Sequence, residues 1–204
     1  MISFCVTSKD RCSLFANSIR SLVSSVRGPA ELIVADWQSR SGLTWLPRML
    51  TGTNITYTLL QLPHDEPFSR GRGLNSAAVH ARYPCLFFID TDMLFCSDVF
   101  DKARHFTQMG AAYFPICWSY TKPDHSAGRW RDNGKGIVAL PRKTYETAQK
   151  WDEYQQWGAE DRHFFDRVQT LVPINRTHTK GLYHQWHLPL NSTSNHSRTS
   201  RNCK

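Results

Sequence analysis

Apolar positions in the first half of the chain alternate between two periods. Residues 2 to 6 (Ile-Ser-Phe-Cys-Val) form a short apolar run, Thr7 to Arg11 is polar, and Leu14, Phe15, Ile19, Leu22 and Val23 then recur at helical spacing between Cys12 and Val26. The pattern predicts strand, polar loop, helix. Gly28-Pro29 breaks the helix, Glu31 to Ala35 gives a second strand stopping at Asp36, and Ile55 to Leu62 gives a third. After Pro63 and Pro67, the segment Phe68-Ser69-Arg70-Gly71-Arg72-Gly73-Leu74-Asn75 opens a short helix reaching about Ala81. Then comes an unbroken apolar run, Leu86 to Ile89, tipped by Asp90-Thr91-Asp92.

Strands alternating with helices predict a largely parallel sheet, whose ligands collect at the carboxyl ends of the strands. Residues 7 to 11, residues 36 to 42 and the Asp90/Asp92 pair all fall at such ends. The second half is less regular. Val99 to Met109 reads as a helix, Ala111 to Trp118 as one apolar strand, and Tyr120 to Asn133 as a long polar loop of the kind that carries function. Gly134 to Leu140 reads as a strand with close backbone approach at its glycines, Lys143 to Trp151 as a helix, and Phe164, Phe165 and Val168 as the apolar side of another. The Ser/Asn/Arg-rich end, residues 191 to 204, has a disordered composition.

With 204 residues, 40% of them hydrophobic, the chain suits one α/β domain. Within one domain over residues 1–190, the more regular first half spans residues 1–95 and the less regular second half residues 96–190. The net charge of +8 favours an anionic partner. The basic residues are scattered without a helix-turn-helix or zinc-finger pattern, which argues against nucleic acid. Six cysteines without C-x-x-C spacing suit a reducing compartment. With neither a signal sequence nor an 18-residue apolar run, a cytoplasmic location with no membrane span is expected, and the N-x-[ST] matches at Asn54, Asn175, Asn191 and Asn195 are then fortuitous.

Two buried carboxylates need a cation, and the i, i+2 spacing of Asp90 and Asp92 would send both to one side of an extended strand end. Hard oxygen ligands there suit Mg2+ or Mn2+ carrying a diphosphate; the alternative is that the two acids cap the next segment. His184 and His187, three apart, can turn two imidazoles toward one ion on a turn or helical start. Neither a G-x-G-x-x-G fingerprint nor a P-loop is present, which counts against NAD and ATPase chemistry.

Taken in order, Arg11, Asp36, Phe68 to Asn75, Asp90-Thr91-Asp92, Gly136-Ile137-Val138-Ala139-Leu140, Trp157-Gly158-Ala159-Glu160-Asp161 and the late histidines resemble the GT-A glycosyltransferases. The likeness is to the family-2-like enzymes and to the C-terminal domain of the β-1,4-galactosyltransferase and chondroitin-polymerase type, and it covers residues 2 to 189. It implies a single Rossmann-like GT-A domain, a mostly parallel central sheet flanked by helices, with a smaller irregular acceptor-side region. It also implies an inverting, Mn2+- or Mg2+-dependent transfer of a hexose from a nucleoside diphosphate sugar, UDP favoured, to a saccharide or glycoconjugate acceptor, with a further transferase domain fused or associated. A sugar-nucleotide-binding module without transferase activity is the alternative.

By the resemblance Asp92 holds the metal with His187 or His184, and Asp90 contacts ribose or a metal-bound water. Thr7, Ser8 and Arg11 line the nucleotide, Asp36 accepts from the base, Arg70 faces phosphate or base, and Thr91 and Gly136 complete the donor side. Asp161 is the base that deprotonates the acceptor, Glu160 grips acceptor hydroxyls and Trp157 stacks on the acceptor sugar. Asp36 can equally cap a turn, and Glu160-Asp161 can simply begin a helix, where acids suit the macrodipole. Ala159 stands where the family has a second glycine, and Arg162 where one branch has an acid, so the acceptor's identity stays open.

Overall fold

A computed structural model describes residues 1–63, 65–155 and 158–188. Trp157 and the 191–204 tail lie outside the described residues. The expected opening is present: β1 (Ile2–Ser8), α1 (Cys12–Ser25), β2 (Ala30–Asp36), a short α2 (Leu46–Leu50) that the periodicity did not predict, β3 (Ile55–Gln61), α3 (Arg70–His80) and β4 (Cys85–Ile89). These are followed by β5 (Met93–Phe95), α4 (Ser97–Gln108), β6 (Ala112–Tyr113), β7 (Ile116–Tyr120), β8 (Gly128–Trp130), β9 (Val138–Pro141), α5 (Arg142–Thr147), α6 (Glu160–Val168), β10 (Ile174–Asn175) and β11 (His178–His184).

The main sheet has the order β10-β6-β9-β4-β1-β2-β3. Its strands are parallel except β9, which runs against both β4 and β6. A central strand of such a sheet is covered on both faces, which is why β1, β2 and β4 are buried throughout. Alternate residues feed two cores. Phe4, Val6, Leu32, Val34, Phe87 and Ile89 pack with Phe15, Ile19 and Leu22 of α1 and Phe100 of α4, while Cys5, Ile33, Leu86 and Phe88 pack with Leu74 of α3 and Phe164 of α6.

Four expectations need correction. The region expected to be irregular contains a second, four-stranded sheet of β5, β11, β7 and β8. The apolar stretch 111–118 is not one strand, because it divides at Phe114-Pro115 and sends β6 to the main sheet and β7 to the second. Proline cannot donate to a ladder, so the sheet change falls where one hydrogen bond is missing anyway. The 120–133 loop and the 134–140 strand are also revised, the former containing β8 and the latter reduced to β9.

Candidate active site

The carboxyl ends of β1, β2 and β4 bring three loops to one edge. Trp37 N–H donates to Ser8 O (2.9 Å), and Arg40 N–H to Asp10 Oδ1 (2.8 Å), so the first two loops are tied together. Thr7 is buried and committed to the scaffold, its hydroxyl accepting from Trp37 Nε1 (3.1 Å) and donating to Ala35 O (3.2 Å). A Cβ at Gly73 would overlap that hydroxyl, which explains why the start of α3 needs glycine there. Ser8 Oγ is buried with no partner among the described residues. Arg11 sits half-buried at the N-cap of α1 without a capping bond.

Asp36 closes its own turn: Ser39 donates to it through its hydroxyl (2.6 Å) and its N–H (3.1 Å). Burial pushes the Asp36 carboxyl above the usual carboxylate range even so, the Ser39 bonds offsetting only part of that effect. An additional donor from a ligand would favour its charged form.

Asp90 and Asp92 do not sit on an extended strand end. Residues 91 and 92 make a turn between β4 and β5, with Thr91 buried, and the two carboxylates take different partners. Asp90 Oδ1 accepts from Arg70 Nε (2.9 Å), whose Nη2 donates to Gly136 O (2.8 Å). Arg70 Nη1 lies 4.0 Å from Glu160 Oε1, and among the described residues neither it nor the buried Glu160 Oε2 has a hydrogen-bond partner. Arg70, Asp90, Gly136 and Glu160, far apart in sequence, therefore form one cluster in which two buried polar atoms lack partners. Such atoms are costly to bury alone and are the natural contacts of a polar ligand. Next to Glu160, at the N-terminus of α6, Asp161 Oδ2 accepts from Lys135 N–H (3.2 Å).

Asp92 takes different partners. Its Oδ2 lies 3.4 Å from His184 Nε2 and 3.2 Å from His187 Nε2, and its Oδ1 is buried without a partner among the described residues. The histidines converge as expected but not on a turn or helix: His184 ends β11 and His187 lies in the irregular segment beyond it. Burial opposes the charge on Asp92, yet hydrogen bonding and charge from the two histidines hold its carboxyl well below the usual range.

His187 Nδ1 is 2.9 Å from Leu188 O, which can only accept, so Nδ1 carries a proton. Its Nε2 then meets a carboxylate oxygen with either a second proton or a cation between them. The three ligand atoms lie within 4.8 Å of one another. Atoms bound to one ion at about 2.1 Å stand about 3 Å apart; the Asp92–His184 and Asp92–His187 separations of 3.4 and 3.2 Å match that spacing, and the two imidazoles would close in slightly around a divalent cation. His184 Nδ1 is engaged by Ser119 Oγ at 3.2 Å, which orients its Nε2 toward the site.

Ser119, Lys135 and Gln185 were not read from the sequence. Gln185 offered a signal only in lying between the two histidines: its N–H donates to Asp92 O (2.8 Å), and its buried side-chain amide donates to Leu14 O (3.0 Å) and accepts from Asn17 (3.1 Å). It anchors the segment carrying His184 and His187 to α1.

Among solved structures, Staphylococcus aureus TarS (residues 1–349) in complex with UDP-GlcNAc superposes with a TM-score of 0.75 at 13% identity, over 96% of this chain and 61% of that one. The mannosyltransferase PcManGT from Pyrobaculum calidifontis in complex with GDP-Man and Mn2+ gives 0.69 at 15%, over 90% and 56%. At such identities the likeness establishes the fold, that of a GT-A glycosyltransferase. Mouse chondroitin sulfate N-acetylgalactosaminyltransferase 1 is 30% identical over 158 residues, 64% of this chain and 29% of the relative. The human type 2 protein is 29% identical over 155 residues, 64% and 28%. The chain thus spans less than a third of the length of these curated relatives. A family model described as "Chondroitin N-acetylgalactosaminyltransferase" matches residues 38–204, four-fifths of the chain and every site residue from Arg70 to His187, and the chain belongs to that family.

Proposed function

We propose that this chain carries the donor site, the metal site and the base of an inverting transferase that moves an N-acetylhexosamine from a UDP-sugar to a saccharide or glycoconjugate acceptor. The observation that carries the proposal is Asp92, whose one oxygen faces two imidazole Nε2 atoms while the other is buried with no partner among the described residues. A site so arranged asks for a cation. The relatives' names supply the sugar, and the bound UDP-GlcNAc of TarS and the Mn2+ of PcManGT agree with the donor and ion.

Asp92, His184 and His187 would hold Mn2+ or Mg2+, which neutralises charge on a departing diphosphate. On the nucleotide side Asp36 would accept from the base, relieving the cost of its burial, and Ser8 Oγ would gain a partner. Arg70 locks Asp90 and Gly136 in place and keeps Glu160 beside them. Glu160 Oε2 would accept from acceptor hydroxyls. Asp161, with Oδ2 held by Lys135 N–H, would take the acceptor's proton on Oδ1 as the hydroxyl oxygen bonds to the anomeric carbon. The bond from that carbon to the diphosphate breaks on the opposite side, inverting the centre.

Asp161→Asn tests the assignment. The variant should bind UDP and metal as the parent does and lose transfer to a saccharide panel by about 10²-fold or more, the usual contribution of a general base. Unchanged transfer would remove Asp161 from that role, and no product from the parent chain with any acceptor would leave a binding module instead.

A further inference from the structure

The second sheet lines up four residues across its strands. Met93 of β5 pairs with His184 of β11, His184 with Ser119 of β7, and Ser119 with Arg129 of β8. Residues directly opposed on neighbouring strands share a face, and Ser119 Oγ lies against His184 Nδ1. Arg129 is therefore presented on the face that carries the metal ligand, two strands and about 10 Å away. Trp118 and Trp130 occupy the other face, packed edge to face at 5.3 Å, and Gly128 is placed where any Cβ would run into the Trp118 indole. That packing fixes the register of β8 and hence the side to which Arg129 points.

Arg131 continues the same side. Its N–H donates to Cys117 O (3.0 Å), extending the ladder by one pair, and strand alternation puts its side chain with that of Arg129. Cys117, opposite Arg131 on the ladder, shows where this leads: burial pushes its thiol up to about 11, and the charges that act on it include Arg131, Asp90 and Asp92, so all three lie near one thiol. Arg129 and Arg131 are both exposed, and among the described residues neither guanidinium has a hydrogen-bond or ion-pair partner. Most other arginines near the site are spent within the protein: Arg70 on Asp90 and Gly136, Arg176 on Asp132 and Gly134.

We infer that Arg129 and Arg131 form a cationic clamp for the donor's diphosphate, closing the metal site from the β7–β8 hairpin. Guanidinium groups suit this because their planar fork matches phosphate oxygens and because they stay charged throughout. The clamp would act on the leaving group, holding negative charge as the bond to the sugar breaks. It makes β8, in a segment with the polar composition of a loop, part of the donor site. The inference rests on the donor reading given above.

The test is calorimetric titration of the full chain with UDP and with uridine, in Mn2+, for the parent, Arg129→Ala, Arg131→Ala and the double variant. Uridine shares the base and ribose but has no phosphate. UDP affinity should fall about tenfold for each arginine removed, with uridine affinity and nucleotide-free Mn2+ binding unchanged. Lysine at either position should restore part of the loss. UDP affinity unchanged in the double variant, or an equal loss for uridine, would overturn the clamp. If the parent binds UDP and Asp92→Asn does not, an unchanged double variant refutes the clamp alone; if the parent binds no UDP, the donor reading falls and the clamp with it.

Discussion

Replacing Arg70 by methionine keeps much of the apolar stem and removes the charge that joins three segments. The effect can be built up partner by partner. Asp90 has a side chain 37% exposed, so losing that pair costs at most about 1 kcal/mol. Gly136 O loses a charged donor, worth about 1.5–3 kcal/mol. Glu160, with a side chain only 10% exposed, loses its nearby cation. Breaking a buried pair from one side costs about 3–5 kcal/mol, but at 4.0 Å the contact is long and its share falls below that range. The sum is about 3–5 kcal/mol, and with about 2–4 °C per kcal/mol for a chain of this size, Tm should drop by roughly 10 °C. Urea unfolding and a thermal melt read this directly. The diagnostic arm is the double variant Arg70→Met/Glu160→Gln: a neutral amide needs no counter-charge, so it should recover at least about 1 kcal/mol relative to Arg70→Met. A cost below about 1 kcal/mol for Arg70→Met, or no recovery in the double variant, would refute the view of Arg70 as the counter-charge of this cluster.

Two further outcomes concern the scaffold that holds the site. Glu31, 2% exposed, accepts from Ser3 Oγ (2.6 Å), Arg82 Nε (2.8 Å) and Arg82 N–H (2.5 Å). Burial alone would raise its carboxyl, but these donors outweigh burial and lower it. Its contribution is therefore complete above the unfolded value of about 4.3 and is lost as pH falls through the lower folded value, so Glu31→Gln should flatten the acid limb of stability against pH; a parallel limb would contradict this. Gly73→Ala improves helix propensity yet puts a methyl group onto Thr7, so it should destabilise by about 1–3 kcal/mol through overpacking, and a stabilised variant in urea melts would show that α3 can move away from β1.

How much could be read from the chain followed the range of the forces involved. β1, α1, β2, β3, α3 and β4 are each marked by their own apolar period and bounded by Gly, Pro or polar residues, so local sequence locates them. The division of 111–118 depends on which sheet each half joins, which the apolar pattern does not record; only Pro115 hinted at it. The short β8 and β10 exist because neighbouring strands pair with them. The extended strand end expected at Asp90 and Asp92 is a turn because the chain changes sheets there, and the two carboxylates take different partners, from α3 and from β11 and the segment after it. The convergence of Asp92 with His184 and His187 was legible as residue types but not as geometry, since it arises from β11 pairing between β5 and β7. Asp36 serves its own turn, and its raised carboxyl value keeps a ligand role open to test.

The central claim is that Asp92, His184 and His187 bind a divalent cation on which donor binding depends. Calorimetric titration of UDP into the chain, with Mn2+ and after chelation, for the parent and Asp92→Asn, tests it most directly. The account predicts UDP binding that requires Mn2+ in the parent and is lost, with metal present or absent, in Asp92→Asn. Equal UDP affinity with and without metal in the parent, or unchanged metal-dependent binding in the variant, would contradict it.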